Sequence, residues 1–343
     1  MKTYMYVTVM DEDRIAIFEP DRDTGRLDHR GDVAVSGNPA PLAIDPGKSS
    51  LYVGRRASNQ ISSFRIDPAT GGLSATGTVD LESDPCYMAT DRTGRYLLSA
   101  YYGAGVAAVH AIDGHGAVDG APVEWRATSR GAHCIQTDPS NRFVLLPHIA
   151  GEVGTNLIYL FRFDATTGRL APNSPPTVTP GEGAGPRHYC FHPSRDVVYF
   201  SNEQGSSVTA YDLDPRTGTL APFQTVSTLP DDYDGESTCS QIQITPSGRF
   251  LYAPNRDHNS IAVFSVDPDS GRLAPVQRVA ADPVPRAIGL DPEGKYFYAA
   301  GLDTGRLTSF RIDPATGQLT TLETIDVGAS PMWVLTATLG GQA

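Results

Sequence analysis

The chain has 343 residues and a net charge of −12, and 40% of its residues are hydrophobic. An acidic chain disfavours nucleic acid and membranes as partners, because both attract basic surfaces. The hydrophobic content suffices for a packed core, and the absence of an apolar run of about 18 residues argues against a membrane span. The first ten residues lack the basic segment and apolar block of a signal peptide, so a cytoplasmic protein is expected.

The cysteines give no sign of a metal site or of a disulfide framework. They lie far apart and form no Cys-x-x-Cys pair. We therefore expect four reduced thiols, no metal and no cofactor. The cysteines are Cys86, Cys134, Cys190 and Cys239.

A turn sequence of the form Asp-x-x-Thr/Ser-Gly-x-Leu recurs along the chain. Its glycines are at positions 25, 71, 168, 218, 271 and 317. The gap between positions 71 and 168 spans two periods and contains a degenerate copy, Asp113-Gly114-His115-Gly116. Seven units of roughly 49 residues follow from this spacing, which is the period of a repeat architecture.

A second turn repeat lies out of phase with the first, and its copies begin at positions 45, 91, 138, 192, 245 and 291. Pro, Asp and Gly favour tight turns in such sequences. The segments between the turns are rich in β-branched and aromatic residues, so they predict strands. Four short strands in each of seven units predict an all-β protein, a seven-bladed β-propeller with four-stranded antiparallel blades, as a single domain over residues 1–343.

The two ends of the chain are predicted to share one blade. Residues 3–8 and 14–18 form strands, but the first unit lacks the opening strand that every other unit has. Residues 330–336 supply one strand with nothing after it. Pairing the ends closes the ring and leaves no open sheet edge.

One face of the predicted ring carries unlike residues at equivalent positions, which is the sign of a site in a repeat protein. The other face carries both sets of repetitive turns. The first aligned set, at the start of each innermost strand, is Ala40, Cys86, His133, Arg187, Ser240 and Arg286. The second set, where the next strand ends, is Met10, Arg56, Tyr102, Ile149, Glu203, Arg256 and Leu302, and Arg55, Tyr101, His148, Asn202 and Asn255 precede five of these. The other histidines, His29, His110, His115, His192 and His258, have no equivalent placement and are expected at the surface.

Four motifs contain the candidate residues: residues 131–139 (Gly-Ala-His-Cys-Ile-Gln-Thr-Asp-Pro), 185–193 (Gly-Pro-Arg-His-Tyr-Cys-Phe-His-Pro), 201–204 (Ser-Asn-Glu-Gln) and 253–261 (Ala-Pro-Asn-Arg-Asp-His-Asn-Ser-Ile). These motifs resemble those of the β-propeller lactonase family, which includes propeller-type 6-phosphogluconolactonases and 3-carboxy-cis,cis-muconate lactonizing enzymes. The resemblance covers essentially the whole chain. It implies an active site formed by a His, two Arg and a Glu, which match His133, Arg187, Arg256 and Glu203.

The resemblance implies hydrolysis of a small anionic lactone, and the residue types suit this chemistry. Guanidinium groups bind carboxylate or phosphate through paired hydrogen bonds. A histidine transfers protons near neutral pH. We expect His133, Glu203 and Arg187 to be catalytic, with Glu203 either orienting His133 or acting as the base. The residues expected to bind substrate are Arg256, Arg286, Tyr101, Tyr102, Arg56, His188 and His148.

Two alternatives remain open on the sequence alone. One is a cycloisomerase of the carboxymuconate type, and the other is a binding propeller without catalysis. In each case the expected partner is a small anionic lactone or organic acid. The protein is expected to be a monomer or a weak homo-oligomer.

Overall fold

The structure is a computed structural model that describes residues 1–340. These residues form seven antiparallel sheets with 29 strands and one short 3-10 helix, Met10–Glu12. The first strands of successive sheets contact one another around a central axis. The predicted seven-bladed β-propeller is therefore confirmed.

The strands are numbered along the chain, and the first three belong to blade 7, which closes the ring. They are β1 (Lys2–Val9), β2 (Arg14–Pro20) and β3 (Leu27–Ala34). Blade 1 contains β4 (Pro39–Ile44), β5 (Ser50–Arg55), β6 (Gln60–Ile66) and β7 (Leu73–Asp80). Blade 2 contains β8 (Tyr87–Thr90), β9 (Tyr96–Tyr101), β10 (Val106–Ala111) and β11 (Glu124–Ala127). Blade 3 contains β12 (Gln136–Thr137), β13 (Phe143–His148), β14 (Leu157–Asp164) and β15 (Arg169–Val178).

Blade 5 differs from the others because its innermost strand is broken into two short pieces that both pair with β22. Blade 4 contains β16 (Pro186–Phe191), β17 (Val197–Asn202), β18 (Ser207–Leu213) and β19 (Leu220–Ser227). Blade 5 contains β20 (Thr238–Cys239), β21 (Gln243–Ile244), β22 (Phe250–Arg256), β23 (Ser260–Val266) and β24 (Leu273–Ala280). Blade 6 contains β25 (Pro285–Leu290), β26 (Tyr296–Gly301), β27 (Arg306–Ile312) and β28 (Leu319–Asp326), and the last strand of the chain is β29 (Pro331–Leu339).

The ring closes as the sequence predicts. Strand β29 is the innermost strand of blade 7 and pairs antiparallel with β1, from Lys2 opposite Leu339 to Val9 opposite Pro331. The C-terminal strand thus completes a blade that the N-terminal strands begin, and it covers the edge of β1.

The Asp-x-x-Thr-Gly turns connect the third and fourth strands of the blades. In blade 1 the Gly71 N–H donates to the Asp67 carbonyl at 2.8 Å, and the Thr70 hydroxyl donates to the Asp67 carboxylate at 2.7 Å. Gly71 has φ +70°, and a Cβ there would lie 2.5 Å from the Tyr4 ring of the neighbouring blade. Glycine is required both for the turn and for this close approach.

Tyrosines on the second strand of several blades fasten neighbouring blades together. Each hydroxyl donates to a backbone carbonyl in the Asp-x-x-Thr/Ser-Gly turn of the next blade. The pairs are Tyr4 with Ala69, Tyr6 with Gly71, Tyr96 with Thr166, Tyr199 with Gly271, Tyr252 with Gly317, and Tyr296 with Arg22.

The hydrophobic core lies between the blades rather than at the axis. Eight clusters of buried apolar side chains occupy the seven interfaces, and two of them share the interface of blades 1 and 2. This layering leaves the axis free for polar residues. None of the described residues 1–340 lies in a helix long and apolar enough to cross a membrane.

Two histidines are not where the sequence placed them. His110 is fully buried and His192 is 5% exposed, although both were expected at the surface. His110 lies within β10, a strand whose residues are buried from Val106 to His110. The expectation was wrong because a strand buried on both faces shows no polar alternation.

Candidate functional site

A β-bulge directs side chains from the innermost strands into the mouth of the channel. In blade 4 Pro186 pairs with Asn202 and His188 pairs with Ser201, so Arg187 between them has no partner in the strand register. Blade 6 repeats this arrangement with Arg286 between Pro285 and Ala287. An extra residue in one strand redirects its side chain, and bulges of this kind are frequent beside active sites.

Glu203 lies between the two arginines of the predicted catalytic group. Its Oε2 is 2.7 Å from Arg187 Nε, and its Oε1 is 3.0 Å from Arg256 Nη2. All three side chains are largely buried, with 2% of Arg187 and 14% each of Glu203 and Arg256 exposed. Burial raises the pKa of the Glu203 carboxyl, but the charges of Arg187 and Arg256 outweigh burial and hold the pKa below its usual value.

The contacts of Glu203 are with arginines rather than with the histidine that it was expected to orient. Within residues 1–340 its ion pairs join the two arginines and not His133. Its carboxylate is thus placed to hold the two arginines in position.

A cavity at the channel mouth brings together most of the predicted cations and histidines. It encloses about 320 Å³, with the space at its open mouth included. Its lining residues are Ala40, Pro41, Arg56, Cys86, His133, Arg187, His188, Gln241, Arg286, Met332 and Trp333.

His133 and His188 are in contact within this cavity. His188 Nε2 lies 3.2 Å from His133 Nδ1, and the rings are 5.0 Å apart between centroids. Burial, followed by the positive charge of Arg187, lowers the pKa of both rings well below 6.5. Both histidines are therefore neutral at pH 7, so His133 can accept a proton.

Three arginines line the cavity and Arg256 does not, and the four differ in how their charge is balanced. Arg187 and Arg256 share Glu203, and Arg56 Nη2 is 2.5 Å from Asp84 Oδ2. Arg286 has no hydrogen bond or ion pair to any residue that the structure describes. Burial lowers the pKa of Arg286 to about 10, which leaves it cationic at neutral pH. The cavity therefore has positive charge that an anionic ligand would balance.

Tyr101 and His148 do not belong to this site. Tyr101 is fully buried, and its hydroxyl accepts a hydrogen bond from Ser99 at 3.0 Å. His148 is also fully buried, with Nε2 3.0 Å from the Thr128 hydroxyl. Both are the last residues of their strands, and successive strand residues point in opposite directions. Neither residue lines the cavity, and in the first case the following residue, Tyr102, lies beside His133 instead.

Tyr102 follows Tyr101 and has the orientation that the parity requires. Its ring meets His133 edge-on, with centroids 5.7 Å apart. Burial, then the negative charge of Glu203, raises the pKa of the Tyr102 hydroxyl.

Several cavity residues were not predicted to bind substrate. Trp333 and Met332 belong to the closing strand β29, and Cys86 occupies the same aligned position as His133. Burial raises the pKa of the Cys86 thiol to about 11, so it is not a nucleophile at neutral pH. Gln241 also lines the cavity. It follows the aligned Ser240 by one residue, so it occupies the position in blade 5 that His188 occupies in blade 4. This alignment could have identified Gln241 from the sequence.

The four cysteines are free thiols. Within residues 1–340, no group of three or more His, Cys, Asp or Glu side chains is arranged to hold a metal ion.

Comparison with known proteins identifies the family. Residues 4–336 match the model of the lactonase family with a seven-bladed β-propeller. The 6-phosphogluconolactonases of Yersinia pestis and Serratia proteamaculans are each 34% identical to this chain over 334 residues, which cover 97% of it and 98% of each relative. The solved periplasmic gluconolactonase of Pseudomonas aeruginosa aligns with a TM-score of 0.90 and 25% identity, over 99% of this chain and all of that one.

The fold is thus that of the propeller lactonases. The chain belongs to the seven-bladed β-propeller lactonase family, so the resemblance seen in the sequence is confirmed.

Proposed function

We propose that this protein hydrolyses a phosphorylated sugar-acid lactone of the 6-phosphogluconolactone type in the cavity at the channel mouth. The observation that carries the proposal is the grouping of His133, neutral at pH 7, with the cationic Arg187 and the unpaired Arg286 in one small cavity. The names of the relatives also favour lactone hydrolysis over the cycloisomerase and the non-catalytic alternatives.

The chemistry needs a base for water, charge stabilisation and an acid for the leaving oxygen. His133 takes a proton from a water molecule while the water oxygen bonds to the lactone carbonyl carbon. Arg187 stabilises the negative charge that develops on the carbonyl oxygen. The ring carbon–oxygen bond then breaks, and the departing oxygen receives the proton from His133. The product is the open hydroxy acid, which ionises in solution.

Arg286 is suited to the phosphate, which is the charged group of such a substrate. Its guanidinium reaches the cavity without a partner in the described chain, whereas Arg56 is already paired with Asp84. A phosphate would supply the missing negative charge and could accept two hydrogen bonds from one guanidinium.

The test compares 6-phosphoglucono-δ-lactone with glucono-δ-lactone, with acid release followed at a pH of about 7. We expect kcat/KM to be at least about tenfold higher for the phosphorylated lactone, since a hydrogen bond to a charged group contributes about 1.5–3 kcal/mol. Arg286→Ala should remove most of that preference by raising KM for the phosphorylated substrate. A folded protein that hydrolyses neither lactone would overturn the proposal, and equal rates would overturn its phosphate part.

The proposal extends to metal independence, to a cytoplasmic location and to a monomer or weak homo-oligomer. His133 and Arg187 supply the proton transfer and the charge stabilisation, so activity should survive dialysis against EDTA. Free thiols fit a reducing compartment, and cell fractionation tests that location. Light scattering at several concentrations tests the oligomeric state.

A further inference from the structure

Gln241 lies in the gap between the two short pieces of the innermost strand of blade 5. The pieces β20 and β21 pair with β22, but residues 240–242 between them do not belong to either strand. The Gln241 side chain is 6% exposed and lines the cavity next to Arg187 and His133. It also lines a second cavity beneath the first, beside Tyr87.

The orientation of the Gln241 amide is fixed by the neighbouring blade. Its Oε1 accepts a hydrogen bond of 2.8 Å from the backbone N–H of Ile288. An amide turned the other way would place two donors face to face, so the oxygen must be the atom at Ile288. Nε2 then donates elsewhere, and it has no acceptor among residues 1–340.

We propose that Gln241 is a specificity-determining residue whose Nε2 donates a hydrogen bond to a hydroxyl oxygen of the sugar-acid lactone. The inference rests on the proposed lactonase function. The arginines of the cavity suit the charged groups of the ligand, whereas a neutral donor suits a neutral acceptor. A donor that the bound ligand covers without supplying an acceptor is left unpaired, so a lactone lacking that hydroxyl binds less well.

Gln243, two residues further along the chain, offers a matched control. Its Nε2 donates to the carbonyl of Ile288 at 3.1 Å, so it also links blade 5 to blade 6. It lines the lower cavities and not the one that contains His133. Gln243→Met therefore removes a comparable bond to Ile288 without removing a donor from the site.

The experiment measures kcat/KM of the wild-type protein, Gln241→Met and Gln243→Met on 6-phosphoglucono-δ-lactone and on its 2-deoxy, 3-deoxy and 4-deoxy analogues. Wild-type protein should lose about tenfold or more on the analogue that lacks the partner hydroxyl. On the parent lactone, kcat/KM of Gln241→Met should be lower than that of the wild type by a similar factor. On that analogue, kcat/KM of the variant should not fall any further. Gln243→Met should behave as the wild type does.

The outcomes separate the inference from the function on which it rests. If folded wild-type protein does not hydrolyse the parent lactone, the proposed function fails and the inference fails with it. If the parent lactone is hydrolysed, two results would overturn the inference alone. Gln241→Met could lower kcat/KM by the same factor on all four compounds, or it could leave kcat/KM unchanged. Equal melting temperatures of the two variants would show that a lost blade contact does not explain the difference.

Discussion

The two histidines in the cavity are held neutral by burial and by the neighbouring arginines. His133 is 7% exposed, and His188 is 4% exposed. Protonating either ring would place a third positive charge beside Arg187 and Arg286, which is unfavourable where water is scarce. A histidine in this setting stays deprotonated to a lower pH than one in water.

The pH profile of the reaction should show this lowered pKa. His133 accepts a proton only when neutral, so kcat/KM should be constant between about pH 6 and 8 and should fall at pH values well below 6.5. His133→Ala should lower kcat by about 10²–10⁴ with little change in KM. An acid limb centred at or above 6.5 in wild-type protein would contradict the assignment of His133 as the base.

Glu203→Gln keeps the shape of the side chain and removes the charge that Arg187 and Arg256 share. Leaving buried cations unpaired costs about 3–5 kcal/mol, so thermal stability and kcat/KM should both fall. The acid limb of the pH profile should remain where it is in the wild type, because His133 sets it. Its disappearance would instead mean that Glu203 is the base. The matched control is Glu236→Gln, an exposed carboxylate that should change neither property.

The tyrosines that fasten neighbouring blades provide a measurable contrast. Tyr252 and Tyr298 are both fully buried, but only the first has a partner in the described chain: its hydroxyl lies 3.0 Å from the Gly317 carbonyl. Tyr252→Phe leaves that carbonyl unpaired and should lower the free energy of unfolding by about 1 kcal/mol. Tyr298→Phe removes an unsatisfied hydroxyl and should be neutral or stabilising. Urea denaturation of both variants measures the difference, and equal losses would refute the role of the hydrogen bond.

The turns and the number of blades could be predicted because they depend on local residue types. Asp, Thr and Gly at fixed spacing specify the turn around Gly71 whatever surrounds it. The direction of the side chains at the strand ends could not be predicted reliably, because a shift of one residue reverses it. That is why Tyr101 and His148 were placed in the site.

The groups that contact Glu203 and Gln241 could not be predicted from the sequence either. Glu203 is bound by arginines from blades 4 and 5, and Gln241 is oriented by Ile288 of blade 6. Such contacts depend on how adjacent blades pack, which no single repeat encodes. The four-residue set of His133, Arg187, Glu203 and Arg256 was found through aligned positions and family resemblance, but the roles within it came from distances.

The stability of the protein as a whole should depend on its buried histidines at acid pH. Burial lowers the pKa of His110 to about 4, and no residue of the described chain accepts or donates a hydrogen bond to its ring. The unfolded chain binds the proton near pH 6.5, whereas the folded protein binds it only near pH 4. The contribution of neutral His110 is thus fully present above pH 6.5 and is lost as the pH falls towards 4.

His110→Leu should therefore flatten the acid side of the stability curve. Between about pH 7 and 5, the free energy of unfolding of the wild-type protein should fall by about 2 kcal/mol more than that of this variant, because only the wild type has His110. His115→Leu, which removes an exposed imidazole without an ion pair in the described chain, is the control and should follow the wild type. Denaturation curves at both pH values measure the effect, and parallel losses in all three proteins would rule out His110 as the cause.

Because β29 pairs with β1, the first and last residues of the ring lie side by side, with Lys2 opposite Leu339. The ring of blades is then continuous across this pairing, so its packing does not depend on where the chain is opened. A circular permutant that joins residue 340 to residue 2 through a short flexible linker, with new ends at the exposed Asp119 and Gly120, should fold and retain hydrolysis. Its melting curve should remain a single transition, as expected if residues 1–343 form one domain. A permutant that is soluble but lacks a cooperative transition would show that the native ends are needed for more than closing the ring.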